Sequence, residues 1–453
     1  MESLMRISFL SLMTMFAVTN AAVVGLAEAQ KSALEKNYGY EIAKQDVSKS
    51  ELATKSSLSG FFPTATFTAS HMLYTPEVNM NSYAFDAGTG AFSSISIAQK
   101  DRTAFAFQIS QPLFSGGKKW YGYKISIDSE EISRNGFTAE TISLLAEVES
   151  GYLNVLEMKE MFDISKESLS LSKNNEASAA TKHETGLISK VDLLKNSSAR
   201  ATGEVSVLNA EKDYDLAKIS FANLTGLKNF ELENIERESY AGMIDKLNKY
   251  EIDVINSKTE QFLAYAYVNN TDLKNSRLTK SIDEKTVKMA KGNFLPTVSL
   301  SYSTEWEKTN LADEFENSGA LALSATIPVL PLYDNYITLE KAKIELKKSE
   351  LKQMQLKDEI RTMINSAVYS LTLESKQLLS TKIAVELAEE TYYSVLERSR
   401  SGISTADELN TARLSLIQAK YNHTSAFYNM LKTKSELMRL LNMKEEKEFI
   451  ELL

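Results

Sequence analysis

Gln111-Pro112-Leu113-Phe114-Ser115-Gly116-Gly117 opens a stretch that runs to Leu227 without another proline. One short breaker interrupts it, His183-Glu184-Thr185-Gly186-Leu187-Ile188-Ser189. Read physically, this is a strand end, a sharp exit, a very long helix, a tight turn and a returning helix. Proline costs a helix interior about 3 kcal/mol, so proline positions are informative. All six (Pro63, Pro76, Pro112, Pro296, Pro328, Pro331) fall outside 113–295 and 332–453. A helix over about 118–183 would be ~100 Å long at ~1.5 Å per residue, several times an ordinary domain helix. A rod of that length spans distance.

Working outward, the chain says the same thing twice. Ala33-Leu34-Glu35-Lys36-Asn37 answers Ala266-Tyr267-Val268-Asn269-Asn270, and Phe61-Phe62-Pro63-Thr64 answers Phe294-Leu295-Pro296-Thr297, both offset by 233 residues. Pro112 answers Pro328, Gly186 answers Gly402 and Leu224 answers Leu440, each offset by 216. A longer loop between the first pair of strands accounts for the difference. A repeat fixes the architecture. Each copy reads helix, strand, loop, strand, long helix, turn, helix.

The expected organisation follows. Residues 1–22 read as a signal peptide: Arg6 is the basic start, Ile7 to Val18 the apolar stretch, and Ala21 and Ala22 suit cleavage. A buried N-terminal helix is the alternative. The first copy spans 23–227, with one helix over about 26–59, strands about 62–74 and 102–114, and a helical hairpin about 118–226. A charged, asparagine-rich joint spans 228–257. The second copy spans 258–443, with a helix over about 258–291, strands about 296–307 and 319–330, and a hairpin about 334–442. A tail covers 444–453.

Composition narrows the function classes. The net charge of −9 argues against a nucleic-acid partner. The absence of cysteine removes disulfides, thiolate chemistry and cysteine–zinc sites. His71, His183 and His423 are too scattered for a histidine metal site. No nucleophile motif, phosphate loop or metal cluster is present, which argues against an enzyme. Beyond the N-terminus no apolar run reaches about 18 residues, so no helix is expected to span a bilayer.

The strands alternate. Val298, Leu300, Tyr302, Thr304 and Trp306 share one face, and Ser299, Ser301, Ser303 and Glu305 the other. Strands of about ten residues, apolar outside and polar inside, suit a transmembrane barrel. A soluble hairpin covering a core has the same pattern. Phe67, Tyr74, Phe105, Phe107, Tyr302 and Trp306 read as lipid-facing or interfacial aromatics, or as core aromatics. The intervening segments, about 75–101 and 308–319, read as polar loops. Four strands cannot close a barrel, for which about eight is the practical minimum. If they cross a bilayer the chain must oligomerise; three copies would supply twelve strands in a ring.

The long helices show a broken 3-4 spacing: Leu145, Val148, Tyr152, Val155, Phe162 and Leu169, interrupted by Lys159 and Lys166. That fits helices around a watery space, or an exposed coiled coil. At the turns Gly186 and Gly402 supply left-handed helix stops. Ser189 with Asp192, and Ser404 with Asp407 or Thr405 with Glu408, read as capping boxes.

With these residues in hand, the sequence resembles the TolC family of outer membrane efflux proteins over about 26–227 and 258–443. Phe62-Pro63, Leu295-Pro296, the Gln111–Gly117 stretch, Ile327-Pro328-Val329-Leu330 and the two helix turns carry the resemblance. It implies an α+β membrane protein, internally duplicated. Long antiparallel hairpins would form a trimeric α-barrel, and four strands per chain would join a 12-stranded barrel. It implies a homotrimer contacting outer-membrane lipid, with a large periplasmic portion, acting as an exit duct for tripartite efflux or type I secretion. Its partners would be a periplasmic adaptor (a membrane fusion protein) and an inner-membrane transporter of RND, ABC or MFS type. Asp407 matches the first of two acids that line the family's closed pore. Asn410 stands where the second would be, which thins the charge. Gly186, Leu187, Ser189, Asp192, Gly402, Ile403 and Ser404 would form the adaptor-facing tips. Pro63, Pro112, Gly116, Gly117, Pro296, Pro328 and Pro331 would mark strand–helix junctions, with Asp334-Asn335 capping the helix after Pro331. The competing reading is a secreted periplasmic coiled-coil scaffold or adaptor-like protein that never enters a membrane.

Overall fold

The computed structural model describes residues 22–72, 80–97, 102–309, 314–330 and 332–453. Residues 1–21 of the expected signal segment, Tyr74, Pro76 and Pro331 lie outside the described residues. In chain order the elements are β1 (Ala22–Val24), α1 (Leu26–Lys36), α2 (Tyr38–Ser59), β2 (Thr64–His71), β3 (Met80–Asp86), β4 (Ala91–Ile97), β5 (Arg102–Ser115), α3 (Lys118–Glu184), α4 (Lys190–Thr225) and β6 (Phe230–Leu232). They continue as α5 (Ala241–Asn248), α6 (Ile252–Asn269), α7 (Thr271–Lys291), β7 (Thr297–Thr309), β8 (Glu316–Thr326), α8 (Leu332–Arg400), α9 (Ala406–Leu441) and α10 (Glu446–Leu452). Among the described residues no helix is long and apolar enough to cross a membrane.

The elements respect the offsets. Thr64 and Thr297, which open β2 and β7, are 233 residues apart, and α4 and α9 match at both ends with an offset of 216. The structure also corrects several expectations. The single helices expected over 26–59 and 258–291 are each broken, at Asn37 and Asn270. At both breaks the asparagine side chain accepts a backbone N–H three residues on, from Tyr40 and Leu273. That local bond competes with helix continuation. The joint at 228–257 holds β6, a short 3₁₀ turn, α5 and the start of α6. The tail holds α10. The stretch expected as a loop over 75–101 contains the antiparallel β3–β4 hairpin.

The chain divides into two compact units. One comprises 42–138 and 269–359. It holds a four-stranded antiparallel sheet in the order β2-β5-β7-β8. The register lines up Ala65–Ile109–Tyr302–Leu321 and Ala69–Phe105–Trp306–Asn317 across the strands. The rows between them on the opposite face are Thr66–Gln108–Ser303–Ala320 and Thr68–Ala106–Glu305–Ser318. One face is therefore rich in large apolar groups and the other in small and polar ones, the alternation a pleat dictates. Phe67 stacks on Phe105 at 6.2 Å on the apolar face, and Arg102 bridges Glu305 and Glu307 at 3.2 and 2.7 Å. Strands β2 and β8 are each paired on one side only, and both are exposed along their length.

The junction residues act differently from one another. Pro63 and Pro296 sit one residue before β2 and β7, where the missing N–H costs no ladder bond. Pro112 lies inside β5 rather than at its end, and the ladder shifts register between Pro112 and Phe114, a bulge that absorbs it. Gly116 and Gly117 have φ of +63° and +78° and turn the chain into α3. A Cβ on Gly116 would overlap the Gly292 carbonyl oxygen, so two backbones meet there with no room for a side chain. The corners repeat: the Lys119 ammonium donates to the Gly60 carbonyl, and the corresponding Asn335 amide donates to the corresponding Asn293 carbonyl at 3.2 Å. Asn335 is thus a cross-link between elements, not the helix cap expected of it.

The other unit comprises, among the described residues, 22–41, 139–268 and 360–453. Parallel β1 and β6 pair there, and the Tyr152 hydroxyl on α3 donates to the Glu233 carbonyl at 2.6 Å. Burial and the Glu233 charge push the Tyr152 phenol up to about 12. Phe262 stacks on Phe449, so α10 closes on α6. The expected seam of α3 is dry at Val148, Tyr152 and Val155, and then turns polar: between 165 and 175 the buried positions are Ser165, Ser168, Ser172 and Asn175. Helix α9 answers with bases. Lys434, 1% exposed, bridges Glu149 and Glu446; Lys432 meets Glu157 at 2.7 Å; Lys420 meets Glu167 and Glu389 at 2.9 and 3.2 Å. A buried ammonium paired twice avoids the penalty that either partner alone would carry.

Candidate gate at the two helical turns

Both long helices end in one hydrogen-bonding pattern. Gly186 N–H donates to the His183 carbonyl and Leu187 N–H to the Lys182 carbonyl, at 2.9 and 2.8 Å. Gly402 and Ile403 do the same to Ser399 and Arg398, at 3.1 and 2.9 Å. This is the Schellman stop, and the glycines hold its left-handed position with φ of +77° and +74°. The next residues, Leu187 and Ile403, stand 75% and 76% exposed at the tips.

The returning helices are capped by side chains. Ser189 Oγ accepts the Asp192 N–H at 3.1 Å and donates to the Asp192 carboxylate at 2.7 Å. At the second turn Thr405 and Glu408 form the reciprocal box. The alternative pairing of Ser404 with Asp407 is not formed; the Ser404 hydroxyl donates to Glu408 at 2.5 Å. Hydrogen bonds from Ser404 and the Thr405 backbone, with Arg398 at 3.7 Å, hold the Glu408 carboxyl below its ordinary range.

Asp407 is therefore free of capping duty, and it meets a partner the sequence did not point to. Lys195, on the second turn of the returning helix α4, places Nζ 2.7 Å from Asp407 Oδ2. That contact raises the Lys195 ammonium above its usual value. Both groups are exposed, so the pair is a weak tie on its own. A second tie runs from the Lys182 ammonium to the Ser399 carbonyl. Asn410 lies half-buried one turn beyond Asp407 and has no share in the Lys195 pair. Beneath the turns Tyr392, Val395, Leu409, Ala412 and Leu416 form an apolar cluster. Among the described residues no group of three or more histidines, aspartates and glutamates could hold a metal ion.

The sequence profile of the outer membrane efflux protein family matches residues 30–227 and 263–443. The chain belongs to that family. The two matched blocks track the duplication and pass over the joint between the copies. Solved members of similar fold include CusC, whose structures are described as showing transmembrane channel formation, at 14% identity and a TM-score of 0.76 over 94% of each chain. VceC from Vibrio cholerae aligns at 14% identity and 0.74, covering 92% of this chain and 96% of that one. The CmeC outer membrane channel of Campylobacter jejuni aligns at 15% and 0.74, covering 94% and 88%. At such identities the likeness establishes the fold of this efflux-family chain and leaves its cargo open. No curated protein sequence matches it.

Proposed function

We propose that three copies of this chain form an outer-membrane exit duct for a tripartite efflux or type I secretion system. The carrying observation is the four-stranded sheet with one apolar face and both edges open. Unpaired edge groups cost several kcal/mol each in hydrocarbon, so β2 of one copy would pair β8 of the next around a twelve-stranded ring. The helical hairpins would line a periplasmic tunnel, and transport would be passive, without turnover. The exposed tips Leu187 and Ile403, with the turn residues Gly186, Ser189, Asp192, Gly402 and Ser404, would meet a periplasmic adaptor. An inner-membrane transporter of RND, ABC or MFS type would supply energy. Asp407 would sit at the constriction, its charge moderated by Lys195, with neutral Asn410 beyond it. Fractionation of native envelopes with mild crosslinking tests the reading. It expects a detergent-requiring trimer in the outer membrane; a soluble periplasmic monomer would remove the duct and favour a scaffold.

A further inference from the structure

The row of bases on α9 breaks at its last member. Lys434, Lys432 and Lys420 each meet a carboxylate, but Arg413, one stretch nearer the turns, meets none among the described residues. The residue is 5% exposed. It makes one hydrogen bond, from Nη1 to Ser168 Oγ at 2.7 Å, and its Nε is buried with no partner. The titratable group that faces it is the Tyr392 phenol. Arginine cannot shed its proton to escape burial, so the positive charge stays.

Arg413 lines a cleft of about 770 Å³ between α3, α4, α8 and α9. Gly203, Ala199 and Ala384 leave the space open, and the hydroxyl-bearing Thr202 and Ser415 line it. No acid lines it. The position 216 residues earlier is Ser197, so the duplication does not require a base here. We infer that this cleft is a binding site for a small oxyanion, a carboxylate or phosphate, seated on the Arg413 guanidinium. The planar fork of arginine matches two oxygens of such an anion, and the surrounding hydroxyls suit the rest. The site lies within one chain and does not depend on the exit-duct reading.

The test is calorimetric titration of the full-length protein in detergent with inorganic phosphate, and separately with acetate, at constant ionic strength set by chloride. The expected result is saturable binding of one anion per chain, weakened at least tenfold in Arg413→Gln and severalfold in Arg413→Lys, with helical circular dichroism unchanged. The lysine variant keeps the charge and so remains informative if the glutamine variant fails to fold. Equal affinity in Arg413→Lys, or no saturable binding of either anion by the wild-type chain, overturns the assignment. So does an electron cryomicroscopy map showing an acidic side chain of a neighbouring copy on the guanidinium.

Discussion

The turn at Gly186 and the turn at Gly402 share their backbone hydrogen bonds and the hydroxyl–carboxylate cap that restarts the helix, yet they differ in charge. Ser189 and Asp192 correspond to Thr405 and Glu408, so the cap chemistry is kept in both copies. Val191, by contrast, corresponds to Asp407, and Lys195 to Thr411. At the first of these two positions only the second turn carries an acid, at the other only the first carries a base, and the two meet at 2.7 Å. Duplication held the scaffold constant, because a Schellman stop and an N-cap tolerate few residue types. Side chains off that scaffold were free to diverge, and their divergence created an ion pair that a symmetric molecule would lack.

The largest expected effect probes a similar asymmetry at the strand–helix corners. Gly116→Ala places a Cβ against the Gly292 carbonyl at positive φ and should cost at least about 3 kcal/mol. Its counterpart in the second copy is Leu332, which has no such restriction. Thermal unfolding in detergent checks this, and an unchanged Tm for Gly116→Ala would erase the difference between the corners. Next come the turn glycines. Gly186→Ala and Gly402→Ala meet open space, so each should cost only the left-handed backbone penalty, about 1–2 kcal/mol, and equally. Unequal losses would show that the shared pattern conceals a difference in support.

The divergent pair is probed by planar-bilayer recordings. Lys195→Gln should raise cation preference roughly twofold by exposing Asp407, and Asp407→Ala should lower it and raise conductance modestly. If neither variant alters the channel, the pair lies away from the conducting path. The smallest effect is in pH. Glu408 is held below its ordinary value, so its contribution is full above about pH 4.3 and is lost as pH falls through the depressed value. Glu408→Gln should flatten that acid limb in hydrogen exchange of the Thr405–Leu409 amides; an identical limb would mean another carboxylate governs it.

Much of the molecule was readable because the informative residues act locally. Proline exclusion, turn glycines and cap residues each set the backbone within a few positions, so the long helices and their stops could be placed from sequence. The alternation in β7 likewise needs no partner to be seen. The unread features depend on distant encounters. Lys195 and Asp407 are 212 residues apart, and neither neighbourhood hints at the other. The three-residue pairing of β1 with β6 is too short to leave a period. Asn37 and Asn270 occupy matching positions in the two copies, but asparagine is tolerated within helices, so nothing local marks the breaks. The β3–β4 hairpin lay in a stretch whose polar, glycine-containing composition reads equally as loop. At the candidate gate the capping alternatives are both legible, and the choice between them follows from which residue takes the extended N-cap conformation: Thr405 does, which makes Glu408 its third helical residue.

The solitary rims of β2 and β8 set a condition on how the protein reaches its working state. The helices of one copy satisfy their own backbone groups internally wherever they lie. Its sheet cannot enter acyl chains alone, because both rims would carry bare amides and carbonyls with it. In the proposed duct, arrival in the bilayer and association with sister copies would then be a single kinetic event. Its rate should climb steeply, faster than linearly, with the concentration of chains awaiting insertion.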